Sequence, residues 1–124
     1  MVWKFNDEQP IYQQIISQIK ERIVAGEWKA GSKLKSVREL ALEAGVNPNT
    51  MQKALAELER EGFVYSKRTS GRFVTDNKEL IENERKNLVK DNVKKTLDTL
   101  INLGYTNDEI LSLVEEILRE DNNE

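Results

Sequence analysis

The chain has 124 residues, 33% charged and 38% hydrophobic, with 19 Lys and Arg against 22 Asp and Glu and a net charge of -3. This is a globular rather than a disordered composition, with room for one compact domain or a smaller one plus an appendage, and its overall charge argues mildly against a nucleic-acid partner. The absence of cysteine and histidine excludes disulfides, thiol catalysis, Cys/His zinc sites and histidine general-base chemistry. The opening residues Met1 to Glu8 lack the apolar run of a signal peptide, and no stretch reaches the apolar length of a membrane span. A cytoplasmic location is therefore expected, with no membrane partner.

In chain order, the first helix is expected from Pro10, a favourable first-turn residue. Ile11, Ile15, Ile16, Ile19 and Ile23 recur at helical spacing, and Gly26 supplies a left-handed stop. Trp28 and Leu34 follow, separated by a Gly-containing turn, and are expected to cover the core. A second helix opens with a capping box, Ser36 as N-cap and Glu39 three residues on, turns Val37, Leu40 and Ala41 inward, and ends at Gly45. A third opens with Asn47 as N-cap and Pro48 at the first helical position, with Val46 and Met51 spaced as a hydrophobic staple. Met51, Ala54, Leu55 and Leu58 form its apolar stripe, and Gly62 ends it. Phe63–Tyr65 and Arg72–Val74 read as short strands around a polar turn, Ser66–Gly71.

A shift in composition follows Thr75. Residues 1–75 hold 12 Lys/Arg and 9 Asp/Glu, a net of +3, whereas residues 76–124 hold 7 and 13, a net of -6. The expected domains are therefore 1–75 and 76–124. The second segment reads as two helices. One runs from about Lys78 to Leu103 and stops at Gly104. The other opens with a capping box of Thr106 and Glu109 and carries Ile110, Leu111, Leu113, Val114, Ile117 and Leu118.

Two short helices joined at Gly45-Val46 and followed by a hairpin make a winged helix-turn-helix, in which the second helix of the pair enters the DNA major groove. The fold class expected is mainly α with a small β-hairpin wing: an N-terminal winged helix-turn-helix and a C-terminal two-helix dimerisation tail. The outer face of the third helix offers Asn49, Gln52, Lys53 and Ala56 and no acid, while Glu57, Glu59 and Glu61 crowd its far end. Asn and Gln can bind adenine bidentately and Ala can meet a thymine methyl, a weak hint of A·T positions. The expected fold places Lys33, Lys35, Arg38, Lys53, Lys67, Arg68 and Arg72 around this helix to neutralise phosphates.

Pro10-Ile11-Tyr12-Gln13-Gln14-Ile15, Ser36-Val37-Arg38-Glu39-Leu40-Ala41, Val46-Asn47-Pro48-Asn49-Thr50-Met51 and Leu58-Glu59-Arg60-Glu61-Gly62 together resemble the GntR family of bacterial transcription regulators over about residues 10–74. Asn47-Pro48-Asn49-Thr50 and the short tail are most similar to the YtrA-type branch. The resemblance implies DNA contacts from Arg38 in the Ser-Val-Arg motif, and from Asn47, Asn49, Thr50, Gln52 and Lys53 in the turn and recognition helix. In the wing it implies a minor-groove approach by Gly71, flanked by Arg72; Lys35, Ser36, Lys67 and Arg68 complete the candidate DNA-binding residues. Two positions depart from the family pattern: Lys35 stands where a proline usually precedes the motif, and Thr69 where the wing usually has the first glycine of Gly-x-Gly.

Each of these residues also has a purely structural role available. Asn47 caps a helix whatever else it does, Thr50 helps the first turn, and Gly71 serves turn geometry. Lys67 and Arg68 suit an ordinary solvated turn, and Trp3, Phe5, Trp28 and Tyr65 suit the core better than base stacking. The tail is too short to enclose a private core, so its aliphatic stripes must bury against the first segment or a second copy. Leu88, Val93, Leu97, Leu100, Ile101, Ile110, Leu113, Val114 and Ile117 are the expected dimer interface. The function expected is a sequence-specific DNA-binding transcription regulator, a repressor that binds a palindromic operator as a homodimer. The competing reading is a winged-helix protein-interaction module that does not read DNA; its docking face would be apolar. No nucleophile–base pair, metal cluster or phosphate loop points to an enzyme. No cofactor or metal is expected, and a small-molecule effector is left unassigned.

Overall fold

Helix α1 (Ile11–Val24) forms where isoleucines recur every four residues, and Ile15, Ile19 and Ile23 along that stripe are buried. The computed structural model describes residues 2–122. Pro10 is the residue just before α1 rather than its first helical residue; its carbonyl accepts from the Gln13 and Gln14 backbone N–H groups. Ile11, in the opening turn, is exposed. Ala25 closes the helix and Gly26, at φ +78, reverses the chain.

The chain before α1 is held by two glutamines of that helix. Gln18 accepts from the Lys4 N–H at 3.0 Å and donates to the Lys4 carbonyl at 2.7 Å. Gln14 accepts from the Asn6 N–H at 2.9 Å, and donates to the Asn6 carbonyl at 2.9 Å and the Gln9 carbonyl at 2.7 Å. Each amide supplies a donor and an acceptor in the manner of a neighbouring strand, which satisfies backbone groups that would otherwise need water. This arrangement lays Trp3 over Arg22, whose guanidinium lies 3.7 Å from the Trp3 ring centroid.

Helices α2 (Val37–Ala44) and α3 (Pro48–Arg60) form the helix-turn-helix. The Ser36–Glu39 capping box is complete, and Gly45 at φ +71 ends α2. Asn47 caps α3 through Oδ1, which accepts from the Asn49 N–H at 2.8 Å. Val46 packs on the core that holds Met51, the expected staple pair. Leu40, Ala41, Met51, Ala54, Leu55 and Leu58 meet Ile15 and Ile19 in one cluster. Fully burying each large member contributes about 1.5–3 kcal/mol. Trp3, Phe5 and Trp28 pack against this cluster as expected. Tyr65 lies instead on the hairpin, stacked on Phe73 at 5.7 Å.

The hairpin pairs β1 (Val64–Lys67) with β2 (Gly71–Val74), in a register that sets Ser66 opposite Arg72 and Lys67 opposite Gly71. The strands therefore run further, and the turn is tighter, than the expected Ser66–Gly71: only Arg68, Thr69 and Ser70 remain unpaired. Ser66, Lys67 and Gly71 at the strand ends are exposed, while Arg72 between them is half-buried. Residues 31–34 add a third edge, with Gly31 N–H to Val74 O at 3.0 Å, Val74 N–H to Ser32 O at 2.8 Å and Leu34 N–H to Arg72 O at 2.9 Å. This polar stretch has no alternating pattern; the bonds come from its placement beside β2.

Helix α4 (Lys78–Asn102) begins where Asn77 Oδ1 accepts from the Leu80 N–H at 3.1 Å. Leu80 and Ile81 pack against the core, and Arg85 donates to the Val24 carbonyl at 2.9 Å. The first compact unit accordingly runs to Arg85, beyond the composition shift at Thr75, and the second comprises residues 86–124. Within the second unit, Gly104 at φ +97 ends α4, and α5 (Asn107–Asn122) starts on the Thr106–Glu109 capping box. Among the described residues, no helix is long and apolar enough to cross a membrane.

Candidate nucleic-acid interface

The outer face of α3 is polar at its start. Asn49, Gln52, Lys53 and Ala56 are exposed, while Met51, Ala54, Leu55 and Leu58 are buried. The division follows from the helical repeat: the buried positions fall three or four apart and the exposed ones between them. Asn47 is exposed beside them and Thr50 is half-buried in the first turn. At the far end, Glu57 forms a close ion pair with Arg60, which holds the Glu57 carboxyl below the usual carboxylate range and raises the Arg60 guanidinium. Glu61 pairs with Lys20 at 3.1 Å. The acidic end of α3 is thus largely occupied by neighbouring cations.

The expected basic residues fall into three settings. Arg38 is exposed on α2, and no ion pair engages it among the described residues. Lys35 is paired, its Nζ 2.8 Å from Glu43 Oε2. The hydrogen bond raises the Lys35 ammonium and lowers the Glu43 carboxyl. Lys53 sits over the Tyr12 ring at 3.8 Å, on the α1 side of α3, and Lys67 sits over Phe73 at 4.7 Å. Arg68 is exposed at the wing tip.

An open cleft of about 460 Å³ brings together Lys35 and Ser36 from the start of α2 with Gly71 and Arg72 of the wing. Lys33, Thr69 and Ser70 also line it. Thr69 and Ser70 were absent from the expected contacts; only their position at the hairpin tip could have pointed to them. Gly71, at φ +105, is required by the backbone, and a Cβ there would lie 3.1 Å from Lys33 Cε. Thr69 is a threonine at φ +71. The position where the family pattern has glycine keeps a glycine-like backbone here.

Arg72 is largely enclosed. Its Nη1 donates to Gln52 Oε1 at 3.2 Å, and its Nε lies 3.7 Å from Glu59 Oε1. Ser66 Oγ donates to the same Glu59 oxygen. Gln52 and Glu59 stand two turns apart on α3, so Arg72 ties the wing along one face of that helix. The expected list placed both Gln52 and Arg72 on DNA; their bond to each other was not foreseen, because it depends on the hairpin folding back.

Known proteins resemble this chain in sequence and fold. The family profile of bacterial regulatory proteins, gntR family, matches residues 11–74. The transcriptional repressor YtrA of Bacillus subtilis is 43% identical over 89 residues, covering 71% of this chain and 68% of the repressor. A GntR family transcriptional regulator from Listeria monocytogenes superposes with a TM-score of 0.79 at 38% identity, covering 90% of this chain and 98% of that one. The DNA-binding domain of AraR, solved in complex with an operator, superposes with a TM-score of 0.54 at 27% identity, covering 60% of this chain and 99% of that domain. The polar face of α3, the wing and the matched residues agree in one conclusion: the chain belongs to the GntR family of bacterial regulatory proteins, in its YtrA-type branch, and is a DNA-binding transcription regulator.

Proposed function

We propose that the chain is a cytoplasmic repressor, not an enzyme, that binds a palindromic operator as a homodimer, with residues 1–75 reading DNA and residues 76–124 dimerising. The observation that carries the reading is the exposed start of α3, with Asn47, Asn49, Gln52 and Lys53 and no acid among them. Amide side chains at a helix start suit base edges in the major groove. A face built to dock protein would instead be apolar at its centre. Arg38, Lys35, Ser36, Lys67, Arg68 and Gly71 lie around it as phosphate and groove contacts, and Thr50 in the first turn completes the set. The operator complex of AraR and the repressor name of YtrA support the same assignment.

Dimerisation rests on the second unit. Val93, Ile101, Val114 and Ile117 are exposed, as are Val89, Leu111 and Leu118. Leu88, Leu97, Leu100 and Leu113 are half-buried, and Ile110 is buried. That much apolar surface favours a partner, and two-fold symmetry makes a second copy the economical one.

The experiment is selection from a random DNA pool with the full-length protein. The expected product is a two-fold symmetric motif with half-site centres about one helical turn apart, roughly 10 base pairs. An asymmetric single motif would overturn the dimeric reading, and failure to enrich any sequence would overturn DNA readout itself. In sedimentation, Ile117→Glu should shift the full chain towards the monomer and weaken operator binding with it.

A further inference from the structure

The contact between Arg72 and Gln52 bears on which bases the helix can read. A guanidinium has donors only, so the Gln52 atom facing Arg72 must be the oxygen. Oε1 is thereby turned towards the wing, and the exposed Gln52 side chain is left with Nε2–H₂ as its free group. Glu59 completes the arrangement. It stands on the same face of α3, 3.7 Å from Arg72 Nε, and is itself held by the Ser66 hydroxyl. Arg72 Nε is buried and has no hydrogen-bond partner among the described residues. The carboxylate offsets the charge of Arg72, and the side chain is only 20% exposed. Both features count against a phosphate contact, which needs an available charge at the surface.

We propose that Arg72 is a specificity-determining positioning residue: it orients the Gln52 amide so that α3 presents a hydrogen-bond donor at that position. The inference rests on α3 being the DNA-reading helix. A donor is matched by the N7 of either purine, the O6 of guanine or the O4 of thymine, whereas cytosine presents only its N4–H₂ donor in the major groove. Oε1 has two lone pairs, so its bond to Arg72 leaves bidentate adenine readout open; what it bars is the flipped amide that would turn the oxygen outward as the acceptor for cytosine N4–H₂. Gln52 so oriented admits bases that offer an acceptor, and cytosine is disfavoured where Gln52 touches DNA.

The test is selection from a random DNA pool with the full-length wild type and four variants. Gln52→Ala identifies the position, since it erases base preference there. Wild type should select against cytosine at that position. Arg72→Met, which removes the donor and keeps an unbranched apolar stem, should relax the exclusion of cytosine by about fivefold or more. Arg72→Lys should also fail to restore the wild-type preference, because a single ammonium cannot engage Gln52 and Glu59 in the guanidinium geometry. Glu59→Gln, which loosens Arg72 from α3, should relax the preference in the same direction, and it serves if Arg72→Met does not fold.

Uniform loss of affinity in Arg72→Met, with unchanged base preference, a salt slope lowered by about one and rescue by lysine, would show a phosphate contact and refute the proposal. A wild-type preference for cytosine at the Gln52 position would refute it as well. If wild type enriched no motif at all, the failure would lie with DNA readout by α3, and the two outcomes are distinct.

Discussion

Thr69 is a β-branched residue at φ +71, in the middle of the three-residue wing turn. Left-handed backbone places the Cβ of an L-residue against its own carbonyl, and branching adds to the crowding. Such a position costs about 1–3 kcal/mol. Thr69→Gly removes the strain but returns about 0.5–1 kcal/mol through the greater freedom of glycine in the unfolded chain. The net expectation is stabilisation by about 0.5–2 kcal/mol, which raises the melting temperature of a unit this size by roughly 2–16 °C. Gly71, two residues on at φ +105, makes the opposite case. Gly71→Ala creates a left-handed strain of about 1–2 kcal/mol and sets a Cβ 3.1 Å from Lys33 Cε. The Lys33 stem can move aside, so backbone strain dominates the loss. Both tryptophans, Trp3 and Trp28, lie in the first unit. Their fluorescence during urea unfolding of the full chain therefore reports the unit that carries the wing, at a fixed protein concentration. The pair should move the midpoint in opposite directions with an unchanged slope. A Thr69→Gly midpoint at or below that of wild type would refute the strain argument.

Asn47→Ala removes the side-chain cap of α3 and should cost about 1 kcal/mol of stability in the same unfolding assay; an unchanged midpoint would mean that Pro48 alone suffices to start the helix. Arg38→Ala should weaken operator binding by about fivefold or more, the scale of a lost charged contact, while leaving stability within about 0.5 kcal/mol of wild type; equal affinity in a gel shift would remove Arg38 from the interface. Operator affinity should also fall steeply and log-linearly with salt, as phosphate contacts release counterions. The Glu43 carboxyl is lowered by its hydrogen bond to Lys35. Its contribution is therefore present above the unfolded carboxylate pKa of about 4.3 and lost as pH falls through the lower folded value. The stability gap between wild type and Glu43→Gln should narrow on acidification, and a gap independent of pH would show that the pair contributes nothing.

Local chemistry was legible in the chain itself. Ser36 with Glu39, Asn47 before Pro48, and Thr106 with Glu109 announce helix starts because capping is settled within four residues. The isoleucine spacing of α1 and the Met51 to Leu58 stripe announce buried faces because the helical repeat sorts side chains without help from elsewhere. The exposed residues of α3 follow from the same repeat, which sets Asn49, Gln52 and Lys53 on its outer face.

What the sequence left undecided depended on segments far apart in the chain. The third edge at residues 31–34 exists only because Arg72 and Val74 offer backbone partners there. The first unit extends to Arg85, past the charge boundary at Thr75, because Leu80 and Ile81 find the core. Charge composition carries no information about that burial. Thr69 occupies a conformation its own type disfavours, imposed by the register that sets Lys67 opposite Gly71. The division is clearest at Gln52. Its type and exposed position were determined locally, as an amide on the outer face of a helix. Which of its two polar atoms is turned outward was decided only when the wing brought Arg72, twenty residues away, to its oxygen.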